Sequence, residues 1–127
     1  MSNNFKNFTE LDVYKVCRNY RREVSTITKQ FPKEEKYLLT SQILDCSRSI
    51  TACIAEGFGR YHFQENIQFC RISRASLFET LEHLITAFDE KYITDEKLIE
   101  MKAKHDNCLK LLNGYINYLQ RAKQMAK

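Results

Sequence analysis

The stretch that decides the fold is SITACIAEGFGR, residues 49–60, which contains two of the three glycines of the chain, Gly57 and Gly59. One apolar helical pattern leads into this stretch and another follows it. Because glycine tolerates the positive φ that ends many helices, we expect Gly57 just after a helix and Gly59 in the turn that follows. Glu56 and Arg60 flank that turn. The stretch therefore predicts a corner between two helices.

The composition is that of one small domain. The chain has 127 residues, of which 43% are hydrophobic and 28% charged, as is usual for soluble globular proteins. Its one proline and three glycines are few chain breaks, which favours a small number of long helices. No run of residues has the apolar length of a signal peptide or a membrane span. We therefore expect a cytoplasmic protein that does not bind a membrane.

Apolar residues recur at alternating spacings of three and four in four segments, as in helices that bury one face. With short connections, these segments predict an all-α fold, an antiparallel up-down four-helix bundle over residues 9–123. An N-terminal arm of residues 1–8 and a C-terminal tail of residues 124–127 lie outside it. The predicted helices cover about residues 10–30, 33–56, 63–89 and 95–122.

Local signals place the helix ends. Thr9 is the predicted N-cap of the first helix and Thr94 that of the fourth. Pro32 ends the first helix, because the residue before proline leaves the α region, and it also begins the second helix.

The second and third predicted helices carry more apolar residues than one buried face requires. Such a surplus indicates a subunit interface, although wide helix faces in an irregular monomer are the alternative. The surplus residues are Leu44, Ile54, Phe58, Phe69, Ile72, Phe78 and Ile85.

Nothing in the sequence indicates catalysis, a metal or a cofactor. No Glu is followed three residues later by His, so the di-iron motif of four-helix bundles is absent. Glu79 and His83 are interpreted as an ordinary pair on a helix surface, and His105 as a buried structural histidine. The five cysteines are odd in number, have no C-x-x-C spacing and occupy apolar positions, which favours free thiols in a reducing compartment. We predict a protein that is not an enzyme.

Basic residues give the clearest functional signal. Residues 1–30 carry a net charge of +3 and residues 91–127 one of +4, whereas residues 61–90 carry −3. A solvated helix face would account for the first-helix stripe in a single subunit, but in a ring of copies such patches would add into a polyanion site. The predicted nucleic-acid-binding residues are Lys15, Arg18, Arg22 and Lys29, with Arg21 beside them.

Glu56 is expected to be largely buried. A carboxylate at the end of an apolar helix needs a partner when it leaves water. The candidate partners are the guanidinium groups of Arg60, Arg48 and Arg74.

Several blocks of residues occur together in one order along the chain, from about Phe8 to Leu119. They are Phe8-x-x-Leu11-x-Val13-Tyr14, Phe31-Pro32-x-x-Glu35-x-Tyr37-x-Leu39-x-x-Gln42-Ile43, Ser49-Ile50, Ile54-Ala55-Glu56-Gly57-x-Gly59-Arg60 and Ser76-Leu77-x-Glu79. On these blocks the chain resembles the bacterial 23S rRNA intervening-sequence protein family, and it is similar to the accessory variability determinant of diversity-generating retroelements. It departs from the family at Thr51 and Cys53, where Pro and Asn are usual, and at Leu44 and Asp45, where basic residues are common.

The resemblance implies an up-down bundle assembled as a homopentameric ring. In the retroelement branch it also implies association with nucleic acid and a reverse transcriptase. The residues assigned to the structural motif are Ser49, Glu56, Gly57, Gly59, Arg60, Arg74 and Glu79.

Two functions are consistent with these observations. The leading one is a non-enzymatic, homo-oligomeric helical scaffold that contacts RNA or DNA non-specifically through phosphates. The alternative is an oligomeric adaptor that binds another protein and no nucleic acid. Salt dependence separates them, because phosphate binding weakens steeply with salt.

Overall fold

The computed structural model describes residues 5–126. Within them it contains no strand, two short 3₁₀ turns and four helices. Consecutive helices pack together and the first also packs against the fourth, so this part of the chain forms the predicted all-α four-helix bundle. The helices are α1 (Asp12–Thr28), α2 (Leu39–Gly59), α3 (Phe63–Asp89) and α4 (Asp95–Met125).

The apolar residues that recur along all four helices pack together in one core. Side chains such as Cys17, Ile50 and Leu77 are fully buried there. Ile54 and Phe58, which were assigned to a surplus apolar surface, also belong to this core. The surplus is therefore smaller than predicted, and its most exposed members are on α3, where Ile72 is 46% exposed and Phe78 50%.

The fourth helix begins where the sequence predicted, whereas the first two do not. Thr94 caps α4, because its side chain accepts a hydrogen bond from the Lys97 amide at 3.1 Å. Thr9 is not a helix cap, since Asn7 caps a 3₁₀ turn at Phe8–Glu10 and α1 starts only at Asp12.

The second helix starts later than predicted, at Leu39 instead of residue 33. Lys33–Glu35 forms a separate 3₁₀ turn. The Glu35 carboxylate accepts hydrogen bonds from the Leu39 amide at 3.3 Å and from the Tyr92 hydroxyl at 2.8 Å. Glu35 therefore caps the first residue of α2 although it lies before the helix. It also joins the 3₁₀ turn to the connection between α3 and α4.

The remaining ends differ by a few residues. α1 ends at Thr28, before the predicted residue 30, and α4 continues to Met125, beyond the predicted residue 122. α3 has the predicted bounds, 63–89. Residues 1–4 of the predicted arm and residue 127 of the predicted tail lie outside the described residues.

A corner between α2 and α3 follows residues 49–60, as predicted, but the roles predicted for Gly57 and Gly59 in it are wrong. α2 continues through Gly57 and ends at Gly59, and no described glycine has a positive φ. The left-handed residue after the helix is Tyr61, with φ 58°. Gly57 is buried against α3 instead, where an added Cβ would lie 2.7 Å from Asn66 Oδ1. This glycine therefore allows two helices to approach closely.

Hydroxyl-bearing side chains also join α2 to α3. Ser73 Oγ donates a hydrogen bond to the Ile50 carbonyl at 2.7 Å, and Ser76 Oγ donates one to Ser49 Oγ at 3.0 Å. Since residue numbers rise along one helix as they fall along the other, the two helices are antiparallel. Their close packing fixes which residues of α2 and α3 face each other.

Candidate functional site

The outer face of α1 is positively charged. Lys15, Arg18 and Arg22 lie on this face and Lys29 directly follows the last residue of α1. All four are exposed, while the opposite face of the helix is buried in the core. No residue in the described part of the chain forms an ion pair with any of the four. The structure thus places the predicted stripe at the surface, with its charges available to an external anion.

Arg21 lies to one side of this stripe, in a groove of about 200 Å³ between α1 and α2. It is half-buried, and its Nε is shielded from solvent without a hydrogen-bond acceptor among the described residues. Arg48, from α2, lines the same groove together with Tyr14 and Thr51. Two guanidinium groups that share a groove without a carboxylate favour an anionic ligand, because guanidinium matches the geometry of phosphate oxygens.

The sequence did not predict the contribution of Arg48 to this surface. Arg48 was considered only as a partner of Glu56, and no spacing rule connects a residue of α2 with a residue of α1. Only the packing of α1 on α2 brings Arg48 to the same groove as Arg21.

The basic residues of α4 are less uniform. Lys104 donates hydrogen bonds to Glu23 of α1 and to Glu100, the latter at 3.2 Å. The hydrogen bond to Glu23 is the main cause that raises the pKa of Lys104. Lys104 is therefore internally neutralised, whereas Lys102 and Lys110 are exposed.

The prediction of a buried Glu56 is wrong. Its side chain is 54% exposed and pairs with Arg60 at 3.2 Å, one helical turn on. Arg60 also approaches Glu65 at 3.7 Å and lies over the Phe69 ring. Because α2 continues to Gly59, Glu56 lies on a solvent-facing helix surface and not at an inward turn.

Arg74 has a different partner from the one considered. It is half-buried, and its Nη1 donates a hydrogen bond to Asn113 Oδ1 of α4 at 2.7 Å. The motif residues therefore do not form one cluster. Ser49 and Gly57 support the α2–α3 interface, Arg74 joins α3 to α4, and Arg60 pairs with acids at the surface.

Glu79 and His83 form the expected surface pair, with 3.4 Å between Glu79 Oε2 and His83 Nε2. Cys46 of α2 lies beside them, and its buried Sγ is 3.2 Å from Thr80 Oγ1. One ligand atom from each of Cys46, Glu79 and His83 falls within 4.8 Å of the others. Burial is the main cause that raises the pKa of Cys46. The spacing of residues predicted the Glu79–His83 pair but not the approach of Cys46.

His105 is buried, as predicted. Its ring meets that of Phe78 edge to face, with 5.0 Å between the centroids. Burial lowers the pKa of His105, while the charge of Asp106 and the backbone of Leu77 oppose that shift.

These features define the protein as a small all-helical bundle whose first helix presents a basic face to solvent. The sequence model of the 23S rRNA-intervening sequence protein family matches residues 9–114, and the chain belongs to this family. No curated protein matches the chain. In residues 5–126, no helix has both the length and the apolar character needed to cross a membrane.

A solved structure has the same fold. It is a protein from Bacteroides thetaiotaomicron, described as of unknown function and from the S23 ribosomal protein family. The two structures align with a TM-score of 0.75 and 24% sequence identity, over 83% of this chain and 95% of the other. At that identity the likeness establishes the fold alone.

Proposed function

We propose that this protein is a non-enzymatic, homo-oligomeric helical scaffold that binds RNA or DNA through phosphate contacts. The observation that carries the proposal is the outer face of α1. Three exposed cations lie there and a fourth, Lys29, directly follows the helix. None has an acidic partner in the described chain, and they lie next to the groove that Arg21 shares with Arg48. Unneutralised cations on one face release counterions from a polyanion when they bind it.

The chemistry of this face favours binding without base specificity. Arginine and lysine side chains contact phosphate oxygens, which position a nucleic acid but carry no sequence information. Stacking of bases needs exposed aromatic rings. The aromatic residues of α1 are Tyr14, which is half-buried, and Tyr20, which is buried, so α1 offers no such platform.

Assembly is part of the proposal, and a closed ring of five copies is the expected form. Ile72 and Phe78 leave apolar surface on α3, which a second subunit would cover. The number five is what the family resemblance implies, and for it light scattering after size exclusion should give a mass near five times 15.1 kDa. A monomer at micromolar concentration would contradict the ring and the addition of charged patches between subunits.

A salt titration tests the binding proposal. We expect the parent to bind unrelated RNA and DNA oligomers at low salt. For single strands, the slope of log affinity against log salt should be about −0.7 for each neutralised phosphate. The double variant Arg18→Gln, Arg22→Gln should weaken binding to all sequences alike and make this slope shallower, because two phosphate contacts are removed. Helix content should not change, since both side chains are exposed.

The matched control is the double variant Lys102→Gln, Lys110→Gln on α4, which removes the same charge from another exposed surface. We expect it to bind like the parent. If only this control loses affinity, the binding site lies instead on α4, at the exposed residues Lys102, Lys110 and Arg121. Parent protein that binds no oligomer at low salt would contradict the proposal.

The adaptor is the second candidate function, and it is favoured if another protein, and not a second copy of this chain, covers the exposed Ile72 and Phe78. An apolar protein interface would resist salt that releases a nucleic acid. A reverse transcriptase as partner, implied by the resemblance to retroelement proteins, remains a prediction that co-purification would test.

A further inference from the structure

Three side chains of metal-binding type converge at the α2–α3 interface, away from the basic face of α1. Cys46 comes from α2, and Glu79 and His83 come from adjacent turns of α3. The sulfur, a carboxylate oxygen and a ring nitrogen all lie within 4.8 Å of one another. We propose that these three residues form a binding site for Zn²⁺, with water as the fourth ligand.

The ligand set is suited to zinc. Zinc binds cysteine sulfur, histidine nitrogen and carboxylate oxygen in tetrahedral geometry, and sites with three protein ligands keep one position open. Magnesium and calcium prefer all-oxygen sites, so the thiolate of Cys46 disfavours them.

The geometry requires only small movements. Ligand atoms in a tetrahedral zinc site are about 3.3–3.6 Å apart, given metal–ligand distances of about 2.0–2.3 Å. Glu79 Oε2 and His83 Nε2 already lie 3.4 Å apart. The Glu79 side chain is 59% exposed, while that of His83 is 16% exposed and has its Nε2 on the side of Glu79. The three ligand atoms already lie within 4.8 Å of one another, so a turn of the exposed Glu79 carboxylate and a small shift of the His83 ring would close the site while both helices stay in place.

Burial disfavours a thiolate at Cys46 without a metal, but one neighbour would stabilise the thiolate once a metal is bound. Cys46 is 6% exposed, and Thr80 Oγ1 lies 3.2 Å from its sulfur. In this structure the Thr80 hydroxyl donates a hydrogen bond to the Ser76 carbonyl at 2.8 Å. When the metal replaces the thiol proton, which passes to solvent, rotation of this hydroxyl would let it donate to the thiolate, as outer-sphere partners do in metal sites.

Charge favours a cation at this place. The thiolate and the Glu79 carboxylate together balance the two charges of Zn²⁺. Residues 61–90, which include most of α3, carry a net charge of −3. The sequence predicted no metal because Cys46 and His83 are distant along the chain, and only the antiparallel register of α2 and α3 brings them together.

The test uses full-length, reduced, untagged protein that has been stripped with a chelator. Titration with Co²⁺ should give a thiolate-to-cobalt absorption band that saturates at one equivalent per chain, and Zn²⁺ should abolish the band. Cys46→Ala should lack this band. Glu79→Gln and His83→Gln should each weaken metal binding at least about tenfold.

Two variants serve as matched controls, Cys53→Ala for the thiol and His62→Gln for the imidazole. Cys53 is also on α2 and His62 precedes α3, but neither belongs to the cluster. Both should bind Co²⁺ like the parent. The proposal is overturned if the parent shows no band, if Cys46→Ala keeps it, or if Cys53→Ala loses it. Should Cys46→Ala fail to fold, the surface variant Glu79→Gln decides, and unchanged affinity there overturns the proposal.

Discussion

The two faces of α2 differ in how their polar and small residues are used. On the side toward α3, Cys46, Ile50 and Gly57 are buried and in close contact with α3 residues. On the other side, Arg48 and Glu56 are exposed. The inner face is held by short contacts within the chain, whereas the outer face presents charge to solvent. We therefore expect substitutions on the inner face to change stability and those on the outer face to change binding.

Gly57→Ala should show the largest effect on stability. Its new Cβ would lie 2.7 Å from Asn66 Oδ1 and 3.0 Å from Phe69 Cβ. Overpacking costs about 1–3 kcal/mol and alanine gains about 1 kcal/mol over glycine in a helix, so the net loss is at most about 2 kcal/mol. Because the backbone oxygen of Asn66 also lies 3.2 Å from the new Cβ, we expect the free energy of unfolding in urea to fall by about 2 kcal/mol.

Gly59→Ala is the matched control, because nothing lies within 4 Å of a Cβ at that position. It should be as stable as the parent or more stable by up to about 1 kcal/mol. If both alanine variants gain stability equally, the close approach of α2 and α3 at Gly57 does not restrict side-chain size.

Ser73→Ala should have the next largest effect. It removes the buried hydrogen bond to the Ile50 carbonyl, and such a bond contributes about 1 kcal/mol. Thr26→Ala is the control, since its hydroxyl makes a similar bond to the Arg22 carbonyl at an exposed site. Thermal unfolding should separate the two variants. Equal losses would show that burial of the Ser73 bond is unimportant.

Stability should also depend on pH through the buried His105. Burial lowers its pKa in the folded state, so the unfolded chain binds more protons below about pH 6.5. The contribution of neutral His105 to the free energy of unfolding is therefore present above that pH. It decreases as the pH falls, by up to about 0.7 kcal/mol between pH 7 and pH 6. Urea unfolding across this range should show the decrease. His105→Gln should remove it, whereas His62→Gln, at an exposed site, should keep it.

Glu56→Ala should show the smallest effect. The pair with Arg60 is exposed on both sides, and exposed pairs contribute about 0–1 kcal/mol. We expect the melting temperature to stay close to that of the parent. A loss of about 3–5 kcal/mol would instead indicate a buried pair and would remove the contrast between the two faces of α2.

Local signals predicted some elements well and others poorly. The Thr94 cap and the 63–89 helix depend on nearby residues, so the sequence was sufficient for them. The predicted start of α2 was wrong because Glu35 accepts a hydrogen bond from Tyr92. Tyr92 lies in the connection between α3 and α4, which is distant from Glu35 along the chain. This hydrogen bond is the main cause that raises the pKa of Tyr92 to about 12. Likewise, the basic stripe of α1 was evident from spacing, but the groove that Arg21 shares with Arg48 was not.

The sequence alone determined that the chain is helical, that four apolar faces form one core, and that α1 carries a stripe of positive charge. These properties follow from the spacing of residues along single helices, which decides which face is buried. The tertiary structure alone decided that Gly57 serves packing and that Cys46 meets Glu79 and His83. Contacts between helices depend on their register and separation, because small changes in either would bring different residues together.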